Sequence, residues 1–180
     1  MIDGAVRLLA TRGLEGTSFS DLLELTGAPR GSLYHHFPDG KEQLIAAAVD
    51  LAGERAAGQL DLWAGSAPER VTELFLGMWR ELLTRSDMKA GCAVVAVTVS
   101  ADSLDLLSHT AAVFRSWRGK LAGLLESGGL AAGAAAGFAA TLVAASEGAV
   151  VLSRAERSME PFELVATSLL AQARGLAPGR

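Results

Sequence analysis

The chain has one cysteine, five prolines and one tyrosine in 180 residues. With Cys92 alone, neither an internal disulfide nor a cysteine-rich zinc site can form. An excess of positive charge is also missing, since 16 Lys and Arg stand against 20 Asp and Glu, a net charge of −4. That balance counts against nucleic acid, because phosphate binding usually leaves a basic footprint. The first 50 residues are more acidic still: Arg7, Arg12, Arg30 and Lys41 face seven carboxylates. A DNA-binding reading must therefore rest on where a few cations stand. The start, Met1-Ile2-Asp3-Gly4, lacks the basic region of a secretory leader. Catalytic constellations are absent as well: no phosphate-binding glycine loop, no nucleophile elbow and no metal-ligand spacing. His35 and His36 are adjacent, which on a helix sets them about 100° apart, and His109 stands alone. No enzyme, cofactor or metal is expected. Leu130 to Ser146 carries no charge, but it is built mostly of Ala and Gly and ends at Glu147. A carboxylate there would cost a few kcal/mol in a bilayer, so a buried helix is expected and not a membrane span.

Half the residues are hydrophobic, enough for a sizeable core, and their spacing is helical almost throughout. Ile2, Val6, Leu9 and Ala10 form one stripe, closed by Gly13. Thr17 or Ser18 caps a second helix, with Asp21 in its first turn and Gly27 at its end. A short segment, Arg30 to His36, follows, with Pro29 suited to its first turn. Pro38-Asp39-Gly40 makes a break before a long helix from about Lys41 to Trp63. Gly65-Ser66-Ala67-Pro68 is the clearest boundary, with Ser66 or Ala67 capping the next helix. Further helices are expected near 103–126, 131–155 and 160–174. Cys92 to Val99 is rich in valine and reads as a strand by propensity. A lone strand would have no partner, so a short buried helix is expected there instead.

Two short helices joined by a tight turn containing glycine fit the helix-turn-helix unit, whose second helix enters the major groove of DNA. In the second of these, Arg30 suits a guanine edge or a phosphate. Ser32, Tyr34 and His35 suit hydrogen bonds to bases or phosphates. Gly31 lowers helix propensity by about 1 kcal/mol, which is useful only if a bare backbone must come close to something. Leu33 and Phe37 are expected to point back into a small core.

On these residues the chain resembles the TetR family of bacterial repressors. The resemblance runs from Ala5 to Gly13, through Thr17-Ser18-Phe19 and Gly27, to Gly31-Ser32-Leu33-Tyr34-His35-His36-Phe37 and Lys41-Glu42-Gln43-Leu44. The later chain resembles the LmrA/YxaF-type branch in Phe37-Pro38-Asp39-Gly40-Lys41, Gly91 to Val97, Trp117 and Glu147-Gly148-Ala149. The resemblance implies an all-α cytoplasmic homodimer. Residues 1–46 would form a three-helix DNA-binding domain, and residues 47–180 a helical ligand-binding and dimerisation domain. It implies groove contacts from Arg30, Gly31, Ser32, Tyr34 and His35, and phosphate contacts from Thr17 or Ser18 and from Lys41 at helix N-termini. A small apolar or amphipathic inducer would release the operator. Three features depart from the family pattern: Met1 stands almost at the start of the first helix, where a basic arm usually precedes it, so that either the start is late or the arm is absent; Pro29 replaces a capping Ser or Thr; and Leu23 and Ala28 exchange the usual sizes. A helical ligand-binding or adaptor protein without DNA binding is the alternative, and the acidic head is its best support.

Phe138, Leu142, Ala145, Ala149 and Leu152 are spaced 4, 3, 4, 3, and Phe162, Ala166, Leu169, Ala173 and Leu176 repeat that spacing. Such seams suit a four-helix bundle between two subunits, or the chain's own core. Gly137, Ala144, Ala145 and Gly148 would let backbones approach closely. Phe75, Met78, Trp79, Met88, Cys92, Phe114, Trp117 and Glu147 are the candidate ligand pocket, against plain core packing. Glu147 is open to three roles: ligand anchor, dimer contact or solvent-exposed residue. If buried, it would need a partner such as Arg115, Arg118 or His109.

Overall fold

A computed structural model describes residues 1–176. Among them are nine helices and no strand: α1 (Ile2–Arg12), α2 (Phe19–Thr26), α3 (Arg30–His36), α4 (Lys41–Asp61), α5 (Pro68–Arg85), α6 (Ala93–Thr98), α7 (Leu104–Ser127), α8 (Ala132–Glu156) and α9 (Glu160–Leu176). The valine-rich stretch is helical, as α6. Its first turn is capped by the Cys92 sulfur, which accepts from the Val95 N–H at 3.5 Å. Burial of Val94 and Val97 overrides their strand propensity. Pro29 stands one residue before α3, as its N-cap, and Ala67 rather than Ser66 caps α5.

The chain forms two compact units: residues 1–55 with 92–114, and residues 56–91 with 115–180. The division expected at residue 46 is not where they part. That point lies inside α4, an unbroken helix with no glycine or proline near it, and α6 joins the first unit by packing on α1.

In the first unit, α1 and α2 meet at Gly4. A side chain there would collide with Leu22 and Thr26, since a Cβ would lie 2.8 and 2.7 Å from their carbons. α2 opens with a reciprocal cap. The Ser18 hydroxyl accepts from the Asp21 N–H at 3.1 Å, and the Asp21 carboxylate accepts from the Ser18 N–H at 3.2 Å. α2 closes at Gly27 in the left-handed conformation (φ 65°, ψ 13°), which glycine adopts without strain. Leu8, Leu9, Leu22, Leu33 and Phe37 are buried, each contributing roughly 1.5–3 kcal/mol of burial.

In the second unit, α9 packs against both α8 and α5. Arg80 of α5 grips Glu163 of α9 through two bonds of 2.6 and 2.7 Å, with its guanidinium 5.6 Å from the Phe162 ring. Arg174 near the far end of α9 meets Glu69 near the start of α5 at 2.6 Å. The two pairs set α5 and α9 antiparallel. Both are exposed, so they align the helices more than they stabilise them. The buried Ser153 hydroxyl of α8 accepts from the Phe162 N–H at 3.1 Å and so caps the start of α9.

Candidate nucleic-acid interface

The first unit turns one side of α3 inward and the other outward. Leu33 is fully buried and Phe37 nearly so, which anchors the helix. Arg30, Gly31, Tyr34, His35 and His36 are exposed, and Ser32 is half-buried. Tyr34 is 59% exposed, unusually high for an aromatic on a packed helix. Its ring rests edge-on against Phe19 of α2, with centroids 5.7 Å apart and planes at 86°. Phe19, named in the sequence only within the Thr17-Ser18-Phe19 motif, therefore supports the most exposed aromatic of α3. The signal was there in its position in the first turn of α2, but only the angle between α2 and α3 brings the rings together.

The flanking residues divide. Thr17 is completely buried, and its hydroxyl donates to the Gly13 carbonyl at 2.8 Å. As a phosphate contact Thr17 is therefore corrected: its side chain closes the α1–α2 turn from inside. Ser18 is half-buried with its hydroxyl directed at Asp21. Lys41, exposed at the start of α4, donates from Nζ to the Leu14 carbonyl at 3.0 Å and ties α4 to the same turn. Among the other cations of this unit, Arg12 pairs with Asp21 at 3.2 Å and Arg55 with Asp3. The Ser18 hydroxyl bond, ahead of Arg12, holds the Asp21 carboxyl below its ordinary range. Among the described residues, no carboxylate pairs with Arg30. Arg7 on α1 is exposed as well, so the outward cations of this acidic unit stand on α1, on α3 and at the start of α4.

The candidate pocket residues do not gather in one unit. Phe75, Met78, Trp79, Met88, Trp117 and Glu147 belong to the second unit, Cys92 and Phe114 to the first. Phe75 and Trp79 are buried and meet edge-on at 6.3 Å. Met78 instead lines an open groove of about 480 Å³ with Gln59, Glu81, Leu82, Arg85 and Ser86. Met88 sits on the turn after α5, in the left-handed region with Asp87 before it. Glu147 is buried on α8, which removes the solvent-exposed reading. His109, one partner considered for it, is in the first unit and meets Asp50 at 2.9 Å.

The dimer seam needs correction. Phe138, Leu142, Ala149, Phe162, Ala166, Leu169 and Ala173 are at most 3% exposed in the single chain. They hold α8 and α9 to their own unit and have no surface left for a partner. Ala145 is half-buried, and only Leu152 faces outward. The outward faces are the neighbouring stripes: Gly137, Thr141, Ala144, Gly148, Val151 and Leu152 on α8, and Leu164, Ser168 and Ala171 on α9.

A helix-turn-helix of this geometry, set before a larger helical unit, defines a transcription-factor class in which one exposed helix reads DNA. Residues 1–54 match the family described as bacterial regulatory proteins, tetR family, and residues 68–168 match the LmrA/YxaF-like transcriptional regulator C-terminal domain. An HTH-type transcriptional regulator of Mycobacterium tuberculosis is 35% identical over 172 residues, covering 92% of this chain and 88% of the relative. The transcriptional repressor ComR of Escherichia coli is 33% identical over 111 residues, covering 58% and 52%. In structure, a TetR regulatory protein of Rhodobacter sphaeroides superposes with a TM-score of 0.85 at 23% identity, covering 94% of this chain and 95% of that one. The chain belongs to the TetR family of transcriptional regulators, in its LmrA/YxaF-like branch.

Proposed function

We propose that the protein represses transcription as a cytoplasmic homodimer that holds a two-fold operator and leaves it when a small molecule binds the second unit. The observation that carries this is the exposed face of α3, where an arginine, a bare glycine backbone, a tyrosine and a histidine stand on a helix anchored by Leu33 and Phe37. In this reading Arg30, Ser32, Tyr34 and His35 meet the major groove, and Gly31 lets the helix backbone approach it. Ser18 and Lys41 meet phosphates by exchanging their present partners. Such residues suit both tasks: arginine forks onto guanine, and hydroxyl, phenol and imidazole groups bond bases or phosphate oxygens.

One reading head with so few free cations binds weakly. Two heads about one helical turn apart double the contacts. The outward stripes of α8 and α9 supply a surface for pairing. Val151, Leu152 and Leu164 are 50–64% exposed there, beside small residues that permit close helix approach. The division of work places the DNA-reading unit first and the inducer-sensing unit second.

The test is selection of an operator from randomised duplex DNA, followed by gel-shift titration. Wild type should select a two-fold site. Arg30→Ala should weaken it by about 10–100-fold and relax preference at the contacted base, and Tyr34→Phe should weaken it less. If both variants bind the selected site as wild type does, the reading head is elsewhere. If no site is selected at all, the adaptor reading replaces this one.

A further inference from the structure

The buried polar atoms of the second unit that its packing leaves without a hydrogen bond include the indole Nε1 of Trp79 on α5 and the hydroxyl of Ser146 on α8. Both residues are buried, at 8% and 0% exposure, and they lie on two helices that pack against each other. Native interiors pair nearly all such groups. The other buried hydroxyls of this unit are employed. Thr72 donates to the Pro68 carbonyl at 2.8 Å, and Ser153 accepts from the Phe162 N–H. Helical hydroxyls elsewhere in the chain bond the carbonyl four residues back, as Thr98, Thr141 and Thr167 do at 2.8–3.0 Å. The Ser146 hydroxyl makes no such bond.

We propose that the α5–α8 interior is the inducer site of the regulator and that Trp79 and Ser146 select a neutral, largely apolar molecule bearing a carbonyl oxygen. This rests on the ligand-released reading above and names the class of ligand. The selection follows from donor chemistry. An indole N–H only donates, so the matching ligand atom must accept, and a hydroxyl can donate to the same kind of atom. Phe75, edge-on to Trp79, adds an aromatic wall. Among the described residues no Lys, Arg or His side chain is buried. A carboxylate or phosphate ligand would therefore enter without a buried cation to meet its charge, while a ketone, ester or amide would not need one.

The probe is prodan, a neutral fluorescent ketone whose emission shifts on burial and on hydrogen bonding. Diphenylhexatriene, a hydrocarbon, is the control. The full chain should bind prodan with blue-shifted emission. Trp79→Phe and Ser146→Ala should each weaken prodan about tenfold, the loss of one hydrogen bond, and leave diphenylhexatriene unchanged. In the unmutated chain the ¹⁵N-labelled indole resonance of Trp79, assigned by its Overhauser contacts with the Phe75 ring, should move on titration with prodan. This readout stands even if a variant folds poorly. The proposal is overturned if prodan does not bind, if its affinity is the same in both variants, or if the indole resonance stays still; the two groups would then serve packing or a buried water only. Prodan binding is read without DNA, so its failure leaves the repressor reading intact, and absence of an operator leaves the ligand site standing.

Discussion

Gly31→Ala separates what α3 needs as a helix from what it needs at DNA. Gly31 is exposed in the first turn of α3, has an ordinary negative φ, and a Cβ built on it meets nothing within 4 Å. Nothing inside the protein requires a glycine there. Alanine should therefore stabilise the unbound protein by about 0.5–1 kcal/mol through helix propensity and a less flexible unfolded chain. For a chain of this size that is a rise in melting temperature of roughly 1–4 °C. Against DNA the sign reverses. A methyl group forced into a packed contact costs typically about 1–3 kcal/mol, and a dimer would bear it twice. Operator affinity should fall at least about tenfold. Thermal melts followed by circular dichroism and fluorescence anisotropy on the selected operator measure the two effects on one sample. A variant that melts higher yet binds as tightly as wild type would refute the placing of this helix face against DNA. A variant that melts lower would refute the claim that the protein itself has no use for the glycine.

The remaining predictions follow the same geometry. Leu164→Glu, at a site 64% exposed, should leave the fold within about 0.5 kcal/mol yet halve the mass in sedimentation; an unchanged dimer would remove the α8–α9 outer face as the interface. Leu169→Glu, at 3% exposure, should instead destabilise by about 4 kcal/mol or more, visible as loss of the cooperative melt. With Arg30 and Lys41 as the cations of each head proposed to meet DNA, log affinity should fall with log salt at a slope of about −4, and a slope near −10 would show that other cations carry the binding. The Arg80 bond holds the Glu163 carboxyl below its ordinary value of 4.5. Its contribution is therefore present above that value and lost as pH falls below it. The effect is small because Glu163 is 45% exposed. Melts across this range should show an acid loss that Glu163→Gln flattens.

The helix-turn-helix was legible in the sequence because its determinants are local. Ser18 and Asp21 cap within one turn, Gly27 permits the left-handed turn, and Leu33 and Phe37 repeat at helical spacing. Family membership was legible for the same reason, since its motif is a contiguous run of residues. Thr17 against Ser18 was not decided, because adjacent hydroxyls look alike until the turn sends one inward to Gly13.

What the sequence determined by itself is the class of fold and the position of the helix proposed to read DNA. Only the tertiary structure decided which faces of α8 and α9 are inside. α8 is apolar on nearly every side, built of Ala and Gly between a few larger residues, so its sequence carries little contrast between one face and another. The 4, 3, 4, 3 spacing of Phe138 to Leu152 marks a seam without saying what it packs against. The structure fills that seam from the protein's own α5, α8 and α9 packing, where Phe138, Phe162 and Leu169 are at most 3% exposed and give their apolar burial inside one chain. Val151, Leu152 and Leu164 are left at the surface among small residues, where a second copy is expected to meet them.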